Sequence, residues 1–188
     1  MKKVLGLLLI TCMSSATYAQ SIYDIGLSDI DNNSISLKNY SGKKILFIIL
    51  PVNETDSLIQ ELTAFKNKHA GKIEVIGILS TEDGYQSSGK TSIKELYSNK
   101  GVVLTNGLQT RKAAGAEQAS LLQWLTDKDK NRHFNMDASG IGHKFFVSET
   151  GRLYAVMPRG AKLSDTIMDR IVSAGRGVRI TDKSTNQQ

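Results

Sequence analysis

Two short, almost uninterrupted apolar runs, residues 44–50 and 74–79, are the strongest feature of the hydrophobic pattern. Both are rich in β-branched residues, and Pro51 closes the first, so they are typical of strands that are buried on both faces of a parallel or mixed sheet. Between them, residues 55–69 change to helical spacing. The apolar positions of that segment are Leu58, Ile59, Leu62 and Phe65. The three segments therefore predict a βαβ unit with a right-handed crossover.

Shorter patterns predict the elements on either side of this unit. Residues 22–27 and 34–37 alternate between apolar and polar positions around the turn-rich residues 29–33, which indicates an N-terminal hairpin. The later patterns indicate a helix over 91–99, a strand over 102–104, a helix through 121–125, a hairpin of strands 144–148 and 153–157, and a last amphipathic helix that carries Ile167, Met168, Ile171 and Val172. This order resembles an α/β thioredoxin-like fold, in which helices flank a central mixed β-sheet, here with an N-terminal β-hairpin extension.

The first nineteen residues have the pattern of a secretory signal peptide. Two lysines precede an apolar run over residues 4–13, and small residues end at Ala19, after which we expect cleavage. The apolar run has about ten residues, which is too short for a membrane-spanning helix of about 20. A second interpretation makes residues 9–12 a lipobox, with a lipid anchor on Cys12. Either interpretation predicts export, so the protein would be periplasmic or secreted.

Composition and charge fit one globular domain and argue against a nucleic-acid-binding chain. The 188 residues are 40% hydrophobic and 22% charged, and we expect a single domain over residues 20–180 with a polar tail over 181–188. Removal of the signal peptide with its two lysines lowers the formal net charge from +6 to +4. The remaining basic residues are scattered among acidic ones and form no basic stripe. We therefore expect no nucleic-acid partner.

Several blocks along the chain, in the same order, resemble the glutathione peroxidases within the thioredoxin-like redoxins. The blocks include Ile35-Ser36-Leu37, Tyr40-Ser41-Gly42-Lys43, Gly84-Tyr85-Gln86, Gln123-Trp124-Leu125 and Lys144-Phe145-Phe146-Val147. The resemblance spans nearly all of the chain after the signal peptide. It implies the thioredoxin-like fold.

The same resemblance implies a peroxidatic cysteine or selenocysteine at the start of the first crossover helix, because a helix N-terminus stabilises the thiolate nucleophile. Asn53 stands there, or Glu54 if the loop is shifted by one residue. The partner glutamine of the family falls on Glu82, and its tryptophan and asparagine fall on Gly140 and Ile141. Each position that the family uses for catalysis is thus occupied by another type of residue.

No other thiol could replace the missing one. The single cysteine, Cys12, lies within the predicted signal peptide, and Gly142 stands where thioredoxins have a cis-proline. An amide such as that of Asn53 cannot attack a peroxide, and a carboxylate is a poor nucleophile toward one. The sequence therefore predicts a protein without thiol peroxidase or disulfide-exchange activity.

We expect a vestigial cleft in place of the active site. Its expected lining is Asn53, Glu54, Glu82, Gly140, Ile141, Gly142 and His143. The cleft would serve an exported binding or accessory protein of the cell envelope, with a protein or peptide partner. The alternative is an enzyme: either a peroxide-reducing oxidoreductase of the glutathione peroxidase family, or an enzyme whose active site the sequence does not reveal, such as a hydrolase with a Glu/His arrangement.

Two further patterns in the sequence have features of ligand sites. Residues 84–91 fit the Walker A spacing, but residues 80–83 separate them from the preceding strand and bring two negative charges, so we expect a polar loop and no nucleotide. The histidines at 69, 133 and 143 lack helical ligand spacing, and a specific metal site needs three or four protein ligands. We therefore expect neither a metal nor another cofactor.

Overall fold

The computed structural model describes residues 20–53, 57–112, 115 and 117–174. The predicted signal peptide with Cys12, the predicted C-terminal tail and Glu54 lie outside the described residues. Within the described residues, no helix is long and apolar enough to cross a membrane.

The described elements follow the order that the sequence predicts. The strands are β1 Leu27–Ser28, β2 Ser34–Ile35, β3 Lys44–Leu50, β4 Ile73–Leu79, β5 Val103–Leu104, β6 Lys144–Val147 and β7 Leu153–Met157. The α-helices are α1 Ser57–Lys68, α2 Lys90–Tyr97, α3 Ser120–Thr126, α4 Lys128–Asn131 and α5 Thr166–Ser173. The N-terminal hairpin is confirmed as the antiparallel pair of β1 and β2, although each strand has only two residues.

Five strands form one mixed sheet in the order β5-β4-β3-β6-β7. β3 is parallel to β4 and antiparallel to β6, so it lies at the centre of the sheet. The continuous apolar run of β3 is explained by this position, since all seven of its residues are buried. In the register of the sheet, Lys44 pairs with Ile73, and Ile48 pairs with Lys144. The lysines that begin β3 and β6 therefore lie toward opposite ends of the sheet.

Helices and the N-terminal segment cover the two faces of the sheet. One apolar cluster joins alternate residues of β3 and β4 to the buried faces of α1, α2 and α5. The other cluster joins the opposite side chains of the same strands to α3 and to the N-terminal segment. Trp124 of α3 is buried in this second cluster, where its indole nitrogen donates to the carbonyl of Gln20 at 2.8 Å. The sheet is thus the middle of three layers.

The loop before β6 is attached to the carboxyl end of β3. Gly142 N donates to Ile49 O at 2.8 Å, and Ile49 N donates to His143 O at 3.1 Å. These two bonds continue the β3–β6 pairing into the loop. They fix the segment 140–143 beside the strand end that leads to residue 53.

Candidate functional site

Gly142 is held in a conformation that favours glycine. Its φ is +84°, and a Cβ at this position would lie 3.2 Å from the carbonyl oxygen of Arg159. The described residues contain no cis peptide bond, and at position 142 the loop turns through a glycine in the left-handed conformation. Gly142 also allows the loop after β7 to approach the loop before β6.

Glu82 is tied into the loop that follows β5. Its carboxylate accepts five hydrogen bonds, from Ser80 Oγ at 3.1 Å, Gln109 Nε2 at 2.8 Å, and Thr110 N, Thr110 Oγ1 and Arg111 N at 2.7 Å each. Burial raises the pKa of Glu82, but the hydrogen bonds from Thr110, Arg111 and Ser80 outweigh burial and lower the pKa overall. Both carboxylate oxygens are therefore occupied in holding residues 109–111 against the end of β4.

Gly140 lies beside the acidic residue that follows Glu82. Its φ is +92°, and a Cβ there would lie 3.1 Å from Oδ1 of Asp83. The same carboxylate oxygen is 3.5 Å from Nη2 of Arg111. The resemblance assigns a tryptophan to the position of Gly140, but the carboxylate of Asp83 lies where the side chain of a larger residue would begin. An indole at this position would require the Asp83 loop to move.

His143 is a packed residue with one ring nitrogen satisfied. It is buried, its ring lies 4.4 Å from that of Phe145, and its Nδ1 accepts a hydrogen bond from Ser139 N at 2.9 Å. Burial, together with a smaller contribution from the charge of Lys144, lowers the pKa of His143 to about 4. The imidazole is therefore neutral at pH 7, and the bond to Nδ1 places its proton on Nε2, an atom with no hydrogen-bond partner among the described residues.

A polar cavity of about 320 Å³ lies on the other side of this loop. It is bounded by the start of α1, the loop before β6, and residues 159–162 after β7, and we name it the Lys144 cavity. Its lining is Ser57, Leu58, Glu61, Ile141, Gly142, Lys144, Arg159, Gly160, Ala161 and Lys162. A volume of this size suits a small ligand.

The sequence pattern places Lys144 in a strand and does not indicate a site there. Its side chain is about 1% exposed, and its Nζ donates to Gly142 O and to Ala161 O, each at 2.6 Å. Burial lowers the pKa of Lys144 to about 8, while the charges of Glu61 and Asp165 oppose this shift. One signal was present in the sequence: a lysine begins a strand whose other residues are all apolar.

Four residues of the expected cleft contribute to two features of the structure. Glu82 and Gly140 are brought together through Asp83 and Arg111, whereas Ile141 and Gly142 line the Lys144 cavity. Asn53 is exposed, and it lies four residues before the first described residue of α1. A single cleft with all seven residues remains a prediction.

The other candidate ligand residues are dispersed over the structure. Lys90, the lysine of the Walker-like pattern, begins α2, and its Nζ lies 3.1 Å from Oδ1 of Asp31. His69 lies beside Asp169, with 3.0 Å between Nε2 and Oδ1, and His133 lies beside Arg152. Among the described residues, no group of three His, Cys, Asp or Glu side chains is placed to hold a metal ion.

Comparisons with solved structures identify the fold. The glutathione peroxidase-like protein T. cruzi GPX1 is 13% identical, with a TM-score of 0.60, and the match covers 81% of this chain and 95% of that one. The apo form of Trgpx, also glutathione peroxidase-like, is 16% identical, with a TM-score of 0.59 and coverage of 82% and 95%. A thiol:disulfide interchange protein of the thioredoxin family from Chlorobium tepidum TLS is 17% identical, with a TM-score of 0.50 and coverage of 82% and 92%.

These similarities confirm the α/β thioredoxin-like fold that the order of elements predicts. No protein-family model matches the sequence, and no curated protein matches it. At identities of 13–17%, the structural likeness establishes the fold but not the activity. The function therefore has to be argued from the site.

Proposed function

We propose that this protein is exported and acts without thiol chemistry, as a binding or accessory protein of the cell envelope. The observation that carries the proposal is the distribution of cysteine: Cys12 is the single cysteine of the chain, and it lies in the predicted signal peptide. A thiolate is the nucleophile in thiol peroxidase and disulfide-exchange reactions. Without a thiolate, neither of these reactions can take place.

The contacts of Glu82 support the same proposal. The resemblance places a catalytic glutamine at this position, whereas the carboxylate of Glu82 holds residues 109–111 through hydrogen bonds to their backbone and side chains. A group with both oxygens occupied in this way is suited to fixing a loop. The Lys144 cavity, by contrast, offers room for a ligand of small size or for the end of a partner chain.

Peroxide consumption tests the absence of thiol activity. The full chain and its Cys12→Ser variant would be incubated with hydrogen peroxide and either glutathione or reduced thioredoxin, with a cysteine-dependent peroxidase assayed in parallel. We expect both chains to consume peroxide at the rate of buffer. Turnover above that rate in the Cys12→Ser variant would overturn the proposal in favour of the alternative, an enzyme with an active site that does not depend on cysteine.

Intact-mass analysis of the protein from its native host tests export. We expect a mature species that begins at Gln20, because Ala19 ends the small-residue segment of the signal peptide. A species that begins at a lipidated Cys12 would also be exported, but it would be attached to a membrane. A full-length species with Met1 or Lys2 at its N-terminus would contradict export.

A further inference from the structure

Among the described residues that line the Lys144 cavity, cationic side chains outnumber acidic ones. Three cationic residues, Lys144, Arg159 and Lys162, line it together with one acidic residue, Glu61. One carboxylate oxygen of Glu61 already accepts a hydrogen bond from Leu163 N at 2.8 Å. Ser57, which begins the 12-residue helix α1, adds the positive end of the helix dipole. The lining therefore favours a negatively charged ligand.

Within the part of the chain that the structure describes, the amine of Lys144 has two hydrogen-bond partners. An ammonium group has three N–H donors, and two of those of Lys144 donate to the carbonyls of Gly142 and Ala161. None of the ion pairs of the described residues includes Lys144. A buried cation with neutral partners and a remaining donor is costly unless an anion or water completes its surroundings. The lowered pKa of Lys144 agrees with this, because it reports a charged form that the protein alone stabilises poorly.

The cavity also has an apolar side. Leu58 of α1 is buried and Ile141 is half-buried, and both contribute to the lining. A ligand that satisfied the cationic side with one negative group could thus place a short aliphatic portion against these two side chains. A monovalent carboxylate with a short aliphatic tail has both features.

We propose that the Lys144 cavity binds a carboxylate that carries a short aliphatic group, with Lys144 as the residue that receives the carboxylate. Such a group occurs in small organic acids and at the C-terminus of a peptide that ends in an aliphatic residue. The inference rests on the proposed function, since it treats this region as a binding site, and it adds the chemical class of the ligand.

Butyrate is the probe for the first experiment, with its neutral isostere butyramide as the chemical control. Binding to the full chain would be followed by NMR chemical-shift changes at pH 7. We expect butyrate to bind with a dissociation constant of the order of millimolar, as is usual for a ligand of six heavy atoms, and butyramide to bind at least about tenfold more weakly. Equal affinity for the acid and the amide would overturn the proposal.

Two lysine variants separate the site from general charge effects. Lys144→Met should weaken butyrate binding at least about tenfold, because it removes a charged hydrogen-bond donor. Lys44→Met is the matched control, since Lys44 is also a buried lysine at the start of a strand but lines a different cavity. Unchanged binding in Lys144→Met, or an equal loss in both variants, would contradict the proposal.

The pH dependence of the wild-type protein keeps the test valid if Lys144→Met does not fold. Glu61 of α1, Arg159, Lys162 and Asp165 of the loop after β7, and the adjacent His143 are the other charged or titratable groups around the amine. With a pKa of about 8, Lys144 is mostly protonated at pH 7 and mostly neutral at pH 9, so butyrate should bind about tenfold more weakly at pH 9. Binding that is equal at the two pH values would overturn the role of Lys144.

Acetyl-Ala-Val with a free carboxylate and its C-terminal amide distinguish the two sources of the carboxylate. If the free peptide binds more tightly than butyrate and its amide does not bind, the peptide terminus is the preferred form of the ligand; the reverse order identifies a small acid. If neither carboxylate binds, the inference fails. The proposed function would then still stand if the peroxide assay shows no turnover, so the two failures are distinguishable.

Discussion

Two buried lysines occupy equivalent places at opposite ends of the sheet, yet their surroundings differ. Lys44 begins β3, and its Nζ donates to Val172 O at 2.5 Å and Ala174 O at 2.7 Å, at the end of α5. Oε1 of Glu149 lies 3.7 Å from Nζ of Lys44. Lys144 begins β6 and also donates to two carbonyls, but its Nζ forms no ion pair among the described residues. Lys44 caps the C-terminal end of α5 and has a carboxylate nearby, whereas Lys144 faces a cavity.

The difference shows which lysine is explained by the fold alone. A cation at a helix C-terminus satisfies carbonyls that lack intrahelical partners and interacts favourably with the helix dipole. Lys44 therefore has a structural role that needs no ligand. The carbonyls bound by Lys144 come from two loops, and the charged form of Lys144 is left under-stabilised. The same residue type thus serves stability at one end of the sheet and is available for binding at the other.

The largest effect should appear in the pH dependence of stability at Lys144. Its pKa is about 8 in the folded protein, below the ordinary value of 10.5, so the unfolded chain binds more protons between these two pH values. The free energy of unfolding should therefore rise with pH in this window, by up to about 3 kcal/mol from this group. Urea unfolding at pH 7.5, 9 and 10 would measure it.

Lys144→Met is the reference for that measurement, because the methionine cannot titrate. The difference in unfolding free energy between wild type and this variant should change in favour of wild type as the pH rises from 8 to 10.5. A constant difference over this range would mean that the folded protein does not lower the pKa of Lys144.

A somewhat smaller effect is expected at the other end of the sheet. Lys44→Met leaves the carbonyls of Val172 and Ala174 without their donor, which should lower the free energy of unfolding by about 2 kcal/mol at pH 7. Lys72→Met, a change at an exposed lysine in the same cavity, should have an effect within about 0.5 kcal/mol of zero. Equal losses in the two variants would remove the structural role assigned to Lys44.

Two glycines provide a third comparison of the same two ends. Gly42 lines the cavity beside Lys44 with φ +82°, and Gly142 lines the Lys144 cavity with φ +84°. At each of these two positions, substitution by alanine should lower the free energy of unfolding by about 1 kcal/mol because of the backbone conformation alone. A Cβ at Gly42 meets nothing within 4 Å, whereas one at Gly142 meets Arg159 O at 3.2 Å.

In thermal unfolding, Gly142→Ala should therefore lose about 1 kcal/mol more stability than Gly42→Ala. Gly142→Ala should also weaken butyrate binding, because the loops around the cavity must move apart. If both alanine variants lose the same stability and bind butyrate like the wild type, the close approach of the two loops is not important to the cavity.

The smallest effect concerns thiols introduced near α1, in a Cys12→Ser background. Ser57→Cys would place a thiol on the first residue of α1 and in the lining of the cationic cavity, so its pKa should fall below the ordinary 8.5. Asn53→Cys lies four residues earlier, and the effect of the helix dipole is confined to the first turn, so its thiol pKa should stay closer to 8.5. The pH dependence of iodoacetamide labelling measures both values. A lower pKa at position 53 would support the alignment of Asn53 with the peroxidatic cysteine.

Much of the fold follows from sequence because its strongest patterns are local. The run 44–50 coincides with β3, since a strand buried on both faces requires an unbroken apolar segment. The helix expected over 55–69 is described as Ser57–Lys68. The N-terminal hairpin is shorter than expected because Ile22–Asp24 form a short 3-10 helix and a second one begins at Leu37. The backbone bonds of these turns are local, and alternation of apolar and polar residues does not distinguish such a turn from a short strand.

The contacts of the candidate site are harder to predict from the sequence because they join residues that are distant along the chain. The resemblance points to Glu82, but the hydrogen bonds by which Glu82 holds a loop come from donors 27 to 29 residues later. Gly140 departs from the family pattern in sequence, while the carboxylate of Asp83 that lies against it is evident only in three dimensions. The sequence places Lys144 in a strand, and spacing does not reveal the two loop carbonyls that accept its hydrogen bonds.

The titration of Lys144 by NMR, in protein labelled with ¹³C at the lysine ε-carbon, tests the central claim most directly. The claim is that Lys144, at the end of the sheet beside the loop before β6, is a buried cation that the protein alone stabilises poorly. The Lys144 signal should titrate with a midpoint near pH 8, and butyrate should move this midpoint upward, while the Lys44 signal should not respond to butyrate. A Lys144 midpoint near the ordinary 10.5 that is unaffected by butyrate would contradict the account.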